Sequence, residues 1–210
     1  MGNNRIAFAP GKVYHVYTHG NADDNIFREE KNYYRFIDKY NQYLPVIAYT
    51  FAFCLMPNHF HVLLMVKNEN ELVTYYSKKY KQKSIEEIRK NLEQYNAQQF
   101  SNYLNAYAKY FNIKYNRRGS LFINNIGRRK IENRKYFLNA FHYIHSNPVM
   151  HKFVTDPGEY KFSSFNHYLK KNDVVIEKEL ANQLFPEINH DIMLNEKELG
   201  QYTLIMRIYY

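Results

Sequence analysis

The stretch Met56-Pro57-Asn58-His59-Phe60-His61 lies between two apolar runs, residues 46–55 and 62–66. It therefore marks the place where two predicted strands meet. Residues two apart in an extended chain project from the same face, so we expect His59 and His61 to lie side by side. Two imidazoles at that spacing can share one divalent metal ion. Two histidines with unrelated structural roles are the alternative interpretation.

The composition favours a single basic domain that is rich in tyrosine. The chain has 210 residues, with 22 Tyr, 15 Phe and no Trp, and its net charge is +9. A length of this order is typical of one globular domain. Excess Lys and Arg beside abundant Tyr suit phosphate binding and base stacking, so the composition indicates a polyanionic partner. A basic soluble protein with no such partner is the alternative.

The single cysteine and the hydropathy pattern indicate the cellular compartment of the protein. Cys54 lies in an apolar run, where we expect a buried, reduced thiol, and one cysteine excludes a disulfide framework. The sequence has no run of about 18 apolar residues and no signal-peptide core. We therefore expect a cytoplasmic protein that does not enter a membrane.

Along the chain, the apolar periodicity alternates between that of strands and that of helices. It predicts strands over residues 12–18, 46–55, 60–67 and 120–131, and helices over residues 29–42, 69–80, 100–115 and 133–147. The highly charged residues 84–96 are interpreted as a solvated helix or a mobile insertion. The order β-α-β-β-α-β-α predicts an α+β, ferredoxin-like (split βαβ) fold, with an antiparallel sheet and helices packed on one face.

The last predicted helix carries a second group of candidate site residues. Asn133 is placed to cap its start. Tyr143 and Asn147 lie four residues apart, one turn from each other at the edge of the apolar sector. Tyr143 would have a partly buried hydroxyl, and Asn147 would offer a carbonyl oxygen, which is a hard metal ligand. In a chain with 22 tyrosines, an ordinary packing role for Tyr143 is the alternative.

Two longer stretches resemble a known family. They are Phe53-Cys54-Leu55-Met56-Pro57-Asn58-His59-Phe60-His61-Val62-Leu63-Leu64 and Tyr143-Ile144-His145-Ser146-Asn147-Pro148-Val149. Both resemble the REP-associated tyrosine transposases, a branch of the single-tyrosine HUH transposases of insertion sequences. Further matching stretches span about residues 12–168 in the same order. They are Tyr14-His15-Val16, Asn21, Ile26-Phe27-Arg28, Tyr110-Phe111-Asn112, Tyr115-Asn116-Arg117-Arg118-Gly119-Ser120-Leu121-Phe122 and Tyr160-Lys161-Phe162-Ser163-Ser164-Phe165.

The resemblance implies a role for each site residue. His59 and His61 match the metal ligands of the family, Asn147 takes the third ligand position, and Tyr143 matches the nucleophile. The implied cofactor is a divalent metal, Mg or Mn. The implied reaction cuts and rejoins single-stranded or hairpin DNA through a 5′-phosphotyrosine intermediate. Residues 1–168 would form the transposase domain, with residues 76–97 as an insertion and residues 169–210 as a C-terminal extension of unknown role.

The sequence also offers candidate DNA contacts and an expected state of assembly. The candidate DNA contacts are Arg117, Arg118, Arg128, Arg129 and Lys130, with Lys78, Lys79 and Lys81 as a second group. Relatives include dimers and monomers, and a homodimer is the favoured state. Two other interpretations stay open at this point. One is a domesticated DNA- or RNA-binding module on the same fold that no longer cuts. The other, a closed structural zinc site, is disfavoured because no cysteine pair accompanies the histidines.

Overall fold

The fold is described here from a computed structural model, which places residues 7–123, 126–169 and 176–188. The strands and helices are numbered in chain order. The strands are β1 (Val13–His19), β2 (Ala48–Met56), β3 (His59–Val66) and β4 (Gly127–Ile131). The helices are α1 (Glu30–Tyr43), α2 (Glu69–Lys79), α3 (Ile85–Lys90), α4 (Leu92–Lys114), α5 (Arg134–Met150), α6 (Phe165–Leu169) and α7 (Lys178–Leu184).

The four strands form one antiparallel sheet in the order β2-β3-β1-β4. The crossover from β1 through α1 to β2 leaves room for β3 between the two strands, which is the split βαβ arrangement. The predicted α+β class and antiparallel sheet are therefore confirmed.

Helices cover both faces of this sheet. Phe60 of β3 packs on Phe36 of α1, and α1 packs on α4. The neighbouring residue His61 projects from the opposite face, where it meets Tyr143 of α5. The expectation of helices on one face thus holds for α1 and α4, whereas α5 covers the other. Nearly every residue of β2 and β3 is buried as a result.

The charged segment before α4 is integrated into the fold rather than mobile. Ile88 of α3 and Leu92, the first residue of α4, are buried. Asn96 is also buried, and its side chain donates to the carbonyl of Phe8 and accepts from the hydroxyl of Tyr76. Because one face of this polar segment is packed, the long helix begins eight residues before the predicted position.

Two other predicted boundaries were wrong. The last strand covers only Gly127–Ile131, while Leu121 and Phe122 are buried and Phe122 forms an isolated bridge with Gly20. Residues 124–125 of that predicted strand lie outside the described residues. Helix α5 continues through Pro148 to Met150, because a proline near the end of a packed helix removes only one hydrogen bond. The predicted start of α5 is confirmed, because the Asn133 side chain caps the helix by accepting from the Tyr136 N–H at 2.8 Å.

The described part of the C-terminal extension packs against α5 and β2. The ring of Phe185 stacks on Phe137 with centroids 3.5 Å apart, and Glu187 pairs with Arg134. Residues 170–175 and 189–210 of the extension lie outside the described residues. Within the described part of the chain, no helix is both long enough and apolar enough to span a membrane.

Gly127 allows a tyrosine to lie across the sheet, and this gives a first prediction. A Cβ at Gly127 would lie 2.3 Å from the ring of Tyr17, its partner on β1. We expect Gly127→Ala to lower the free energy of unfolding by about 1–3 kcal/mol, as overpacking does. Urea unfolding measures this loss. In a Tyr17→Ala background the same substitution should cost much less, and an equal cost in both backgrounds would contradict the contact.

Candidate functional site

The site begins with two histidines that share one face of β3. His59 and His61 are 4% and 3% exposed, and their ring centroids lie 5.3 Å apart. They sit at the start of the strand, directly after the two-residue turn that joins β2 to β3. The pairing of β3 between β1 and β2 fixes which face they occupy.

Helix α5 brings Tyr143 and Asn147 to the same face. The half-buried ring of Tyr143 lies edge-on to His61, with centroids 5.3 Å apart. One turn later, the fully buried Asn147 places its Oδ1 3.4 Å from Nε2 of His59. The structure thus brings together the four residues that the sequence analysis assigned to catalysis and metal binding.

Hydrogen bonds orient the ring of His59. Its Nδ1 lies 2.7 Å from Oδ1 of Asn58, an oxygen that can only accept, so Nδ1 carries the proton. In the neutral ring, Nε2 then presents a lone pair toward Asn147. The amide nitrogen of Asn147 donates to the carbonyl of Tyr143 at 2.8 Å, which turns its Oδ1 toward His59. Two acceptors therefore face each other at 3.4 Å.

Burial keeps the histidines of the site neutral. It lowers the pKa of His59 to about 4, and the charges of His19 and His151 act in the same direction. The pKa of His61 also falls well below its ordinary value, because of burial first and His15 second. Neutral imidazoles are the form that binds metals, so this environment favours metal ligation at neutral pH.

The donor set fits a small divalent cation. Two ligands of one octahedral ion with bonds of about 2.1 Å lie about 3 Å apart, close to the separation of the two facing acceptors. No group of three or more His, Cys, Asp or Glu among the described residues is arranged to hold a metal. The third donor here is an amide oxygen. His59, His61 and Asn147 would therefore hold the ion as two imidazoles and one carbonyl.

Three further histidines surround the pair and were not predicted. His15 lies 2.9 Å from His61, nitrogen to nitrogen. The exposed His19 stacks on His59 with centroids 4.8 Å apart, and the centroid of His151 lies 5.2 Å from that of His59. The sequence did contain a signal. His15 and His19 alternate along β1 around Tyr17, and His151 follows Asn147 by four residues.

The basic residues of β4 divide between the two faces of the sheet. Arg129 pairs with His15, so its side chain lies on the histidine face, and its charge helps to lower the pKa of His15 to about 3, after burial. Arg128 and Lys130 project from the opposite face; Arg128 lies over the ring of Phe8. Of these three predicted DNA contacts, Arg129 is the one that shares a face with Tyr143.

Among the other predicted contacts, Arg117 and Lys79 have intramolecular partners, and the rest are exposed. Arg117 forms an ion pair with Asp24 at 3.0 Å, and the neighbouring Arg118 is exposed. Lys79 of α2 donates to Gln99 of α4, a helix on the far side of the sheet. Lys78 and Lys81 are exposed beside Lys79. The sequence does not show which basic residues share a face with Tyr143, because charge alone does not indicate a face of the sheet.

Comparisons with known proteins show a shared fold. The sequence matches no protein-family model and no curated protein. A solved structure described as a REP-associated tyrosine transposase bound to a REP hairpin is similar, with a TM-score of 0.51 and 14% sequence identity. The similar region covers 83% of this chain and 93% of that one. At this identity, the likeness shows the fold of the sheet and its helices.

Proposed function

We propose that the protein is a metal-dependent DNA endonuclease and strand transferase that uses Tyr143 as its nucleophile. The observation that carries the proposal is the placement of a half-buried tyrosine beside two neutral, buried histidines and an inward-facing amide oxygen. A phenol is a weak nucleophile at neutral pH, so it needs a site that stabilises the charge developing on phosphorus. His59, His61 and Asn147 supply the ligands for such a site.

The reaction is a single exchange at phosphorus. The Tyr143 oxygen forms a bond to the scissile phosphate and gives up its proton to water, while the bond from phosphorus to the 3′ oxygen breaks. The 3′ oxygen takes up a proton and leaves as a free hydroxyl. A divalent Mg or Mn ion, when bound, would polarise the phosphate and offset the charge of the transition state.

The resulting 5′-phosphotyrosine keeps the energy of the broken phosphodiester. A different 3′-hydroxyl can therefore attack its phosphorus, losing its proton, while the bond to the Tyr143 oxygen breaks and the phenol takes up a proton; new ends are joined with no nucleotide cofactor. Helix α5 holds Tyr143 and Asn147 in fixed relation, and the β1–β3 pairing holds the histidines. Positioning by rigid elements of this kind is what such an exchange requires.

The proposed substrate is single-stranded or hairpin DNA. The net charge of +9 supports a polyanionic partner, and the chain shares its fold with a protein whose described complex holds a REP hairpin. Tyr17, half-buried beside His15 and His61, is a candidate stacking surface for a base beside the scissile phosphate.

Covalent capture tests the proposal directly. The full chain is incubated with labelled single-stranded and hairpin DNA and with Mg²⁺ or Mn²⁺, then run on a denaturing gel. A labelled adduct that resists denaturant and is joined through a 5′-phosphate is expected. Hairpin binding without an adduct under any of these conditions would favour a non-cutting DNA- or RNA-binding module on the same fold.

The placement of Arg129 predicts a difference between two single-charge substitutions. Arg129→Gln removes a charge from the face that carries Tyr143, whereas Lys130→Gln removes one from the opposite face. We expect Arg129→Gln to reduce the slope of log affinity against log salt by roughly one, the value for one lost phosphate contact. Fluorescence anisotropy with a labelled hairpin over a range of salt measures the slope. Equal slopes for the two variants would contradict DNA binding along the face that carries Tyr143.

The homodimer inferred from the resemblance stays a prediction. Sedimentation at micromolar concentration measures it, and a mass of one chain would contradict it. The cytoplasmic location is likewise proposed, on the basis of the sequence.

A further inference from the structure

We infer that His15 is a positioning residue that selects the metal-binding tautomer of His61. This inference rests on the proposed function, because it concerns a ligand of the proposed metal site. Nε2 of His15 lies 2.9 Å from Nδ1 of His61, and both rings are almost fully buried. Nothing in the proposed reaction otherwise uses His15.

The contact allows two arrangements of one proton. If His61 carries it on Nδ1, that nitrogen donates to His15, and Nε2 of His61 keeps its lone pair for a metal. If His15 carries it on Nε2, the lone pair on Nδ1 of His61 accepts it, and Nε2 of His61 is protonated and cannot ligate. Metal binding through Nε2 therefore requires His15 to be the acceptor, with its own proton on Nδ1.

His59 has an equivalent arrangement with a different partner. Its Nδ1 donates to the amide oxygen of Asn58, which leaves Nε2 facing Asn147. Both histidines of the pair thus have their Nδ1 held by a neighbour outside the ligand set. A partner of this kind typically raises metal affinity about 10- to 100-fold. For His61 the partner is His15, which β1 places diagonally across from it in the sheet.

Two substitutions of His15 distinguish its role as a hydrogen-bond acceptor from a role in packing. A glutamine amide reaches about as far as Nε2 of a histidine, whereas the contact with His61 has no acceptor if residue 15 is leucine. His15→Gln should therefore preserve an acceptor for Nδ1 of His61, and His15→Leu should remove it while keeping the position filled.

Two measurements on the full chain test the inference. In the metal-free protein, ¹⁵N NMR of the imidazoles should show His61 protonated on Nδ1 in the wild type and in His15→Gln, and a shift toward Nε2 protonation in His15→Leu. Calorimetric titration with Mn²⁺ should show an affinity about 10- to 100-fold weaker for His15→Leu and less than about threefold weaker for His15→Gln. Near-UV circular dichroism verifies that each variant is folded.

Each outcome decides the matter. A wild-type His61 protonated on Nε2 would overturn the inference, and so would an unchanged tautomer and affinity in His15→Leu. Equal loss of affinity in both variants would assign His15 a packing role. If the tautomer and affinity change as expected but no DNA adduct ever forms, the inference stands and the proposed function fails.

Discussion

Tyr143→Phe should abolish the covalent DNA adduct while leaving the fold and DNA binding nearly unchanged. The substitution removes one oxygen and keeps the ring, which packs edge-on to His61. Because Tyr143 is only half-buried, we expect the free energy of unfolding to change by less than about 1.5 kcal/mol. The adduct should fall below detection, since no other group replaces a lost nucleophile. Denaturing gels with labelled hairpin DNA and Mn²⁺ measure the adduct.

Tyr136→Phe is the matched control for this experiment. Tyr136 lies on the same helix, is also half-buried, and precedes Tyr143 by two turns. Its substitution should leave adduct formation within about twofold of wild type. Persistence of the adduct in Tyr143→Phe would show that the nucleophile has been assigned to the wrong residue. Tyr17, which lies 5.9 Å from His61 between ring centroids, would then be the next tyrosine to test.

The sheet could be predicted from the sequence because its pattern is strong and local. The β-branched and aromatic run in residues 12–18 and the two apolar runs around His59 predicted β1, β2 and β3 to within a few residues. The same runs also contained the signal for helices on both faces. Strands buried on both sides are continuously apolar, whereas a strand with one solvated face alternates. The single-face expectation overlooked this difference in β2 and β3.

The roles of the four central candidate residues came from the resemblance, and simple spacing rules predicted which of them share a face. His59 and His61 are two apart on a strand, and Tyr143 and Asn147 are four apart on a helix. The same rules applied to β1 would have placed His15 on one face with Tyr17 and His19. These spacing rules do not give the register between β1 and β3. Only the pairing of His19 with His59 and of Tyr17 with His61 shows that the two histidine groups meet.

The basic residues proposed to contact DNA were the least predictable part of the candidate site. Arg128, Arg129 and Lys130 are consecutive in a strand, so they alternate between the two faces. The sequence predicts the alternation but not which face carries α5. The face of the sheet that α5 covers depends on the chain reversal after Ile131 and on the packing of Phe137 against Phe51. Long-range packing of this kind leaves no local pattern in the sequence.

His61→Ala should separate cutting from binding. The substitution removes one of the two imidazoles proposed to hold the metal, so transition-state charge on the phosphate loses its stabilisation. We expect adduct formation with Mg²⁺ or Mn²⁺ to fall by at least about 100-fold, the usual scale for losing one such electrostatic group. Hairpin affinity should stay within about threefold of wild type, because Lys and Arg contacts to phosphates supply most of it. Gel assays measure the first quantity and fluorescence anisotropy the second.

The control must distinguish a lost ligand from a disturbed core. His61 is 3% exposed and contacts His15, so His61→Ala also leaves a cavity, and its melting temperature should be compared with that of the wild type. His151→Ala removes an exposed histidine from the same patch and leaves the contact between His59 and Asn147 in place. It should retain adduct formation. Equal loss of cutting and binding in a His61→Ala protein that melts cooperatively would mean that the histidine pair shapes the DNA surface. A metal role would require cutting alone to fail.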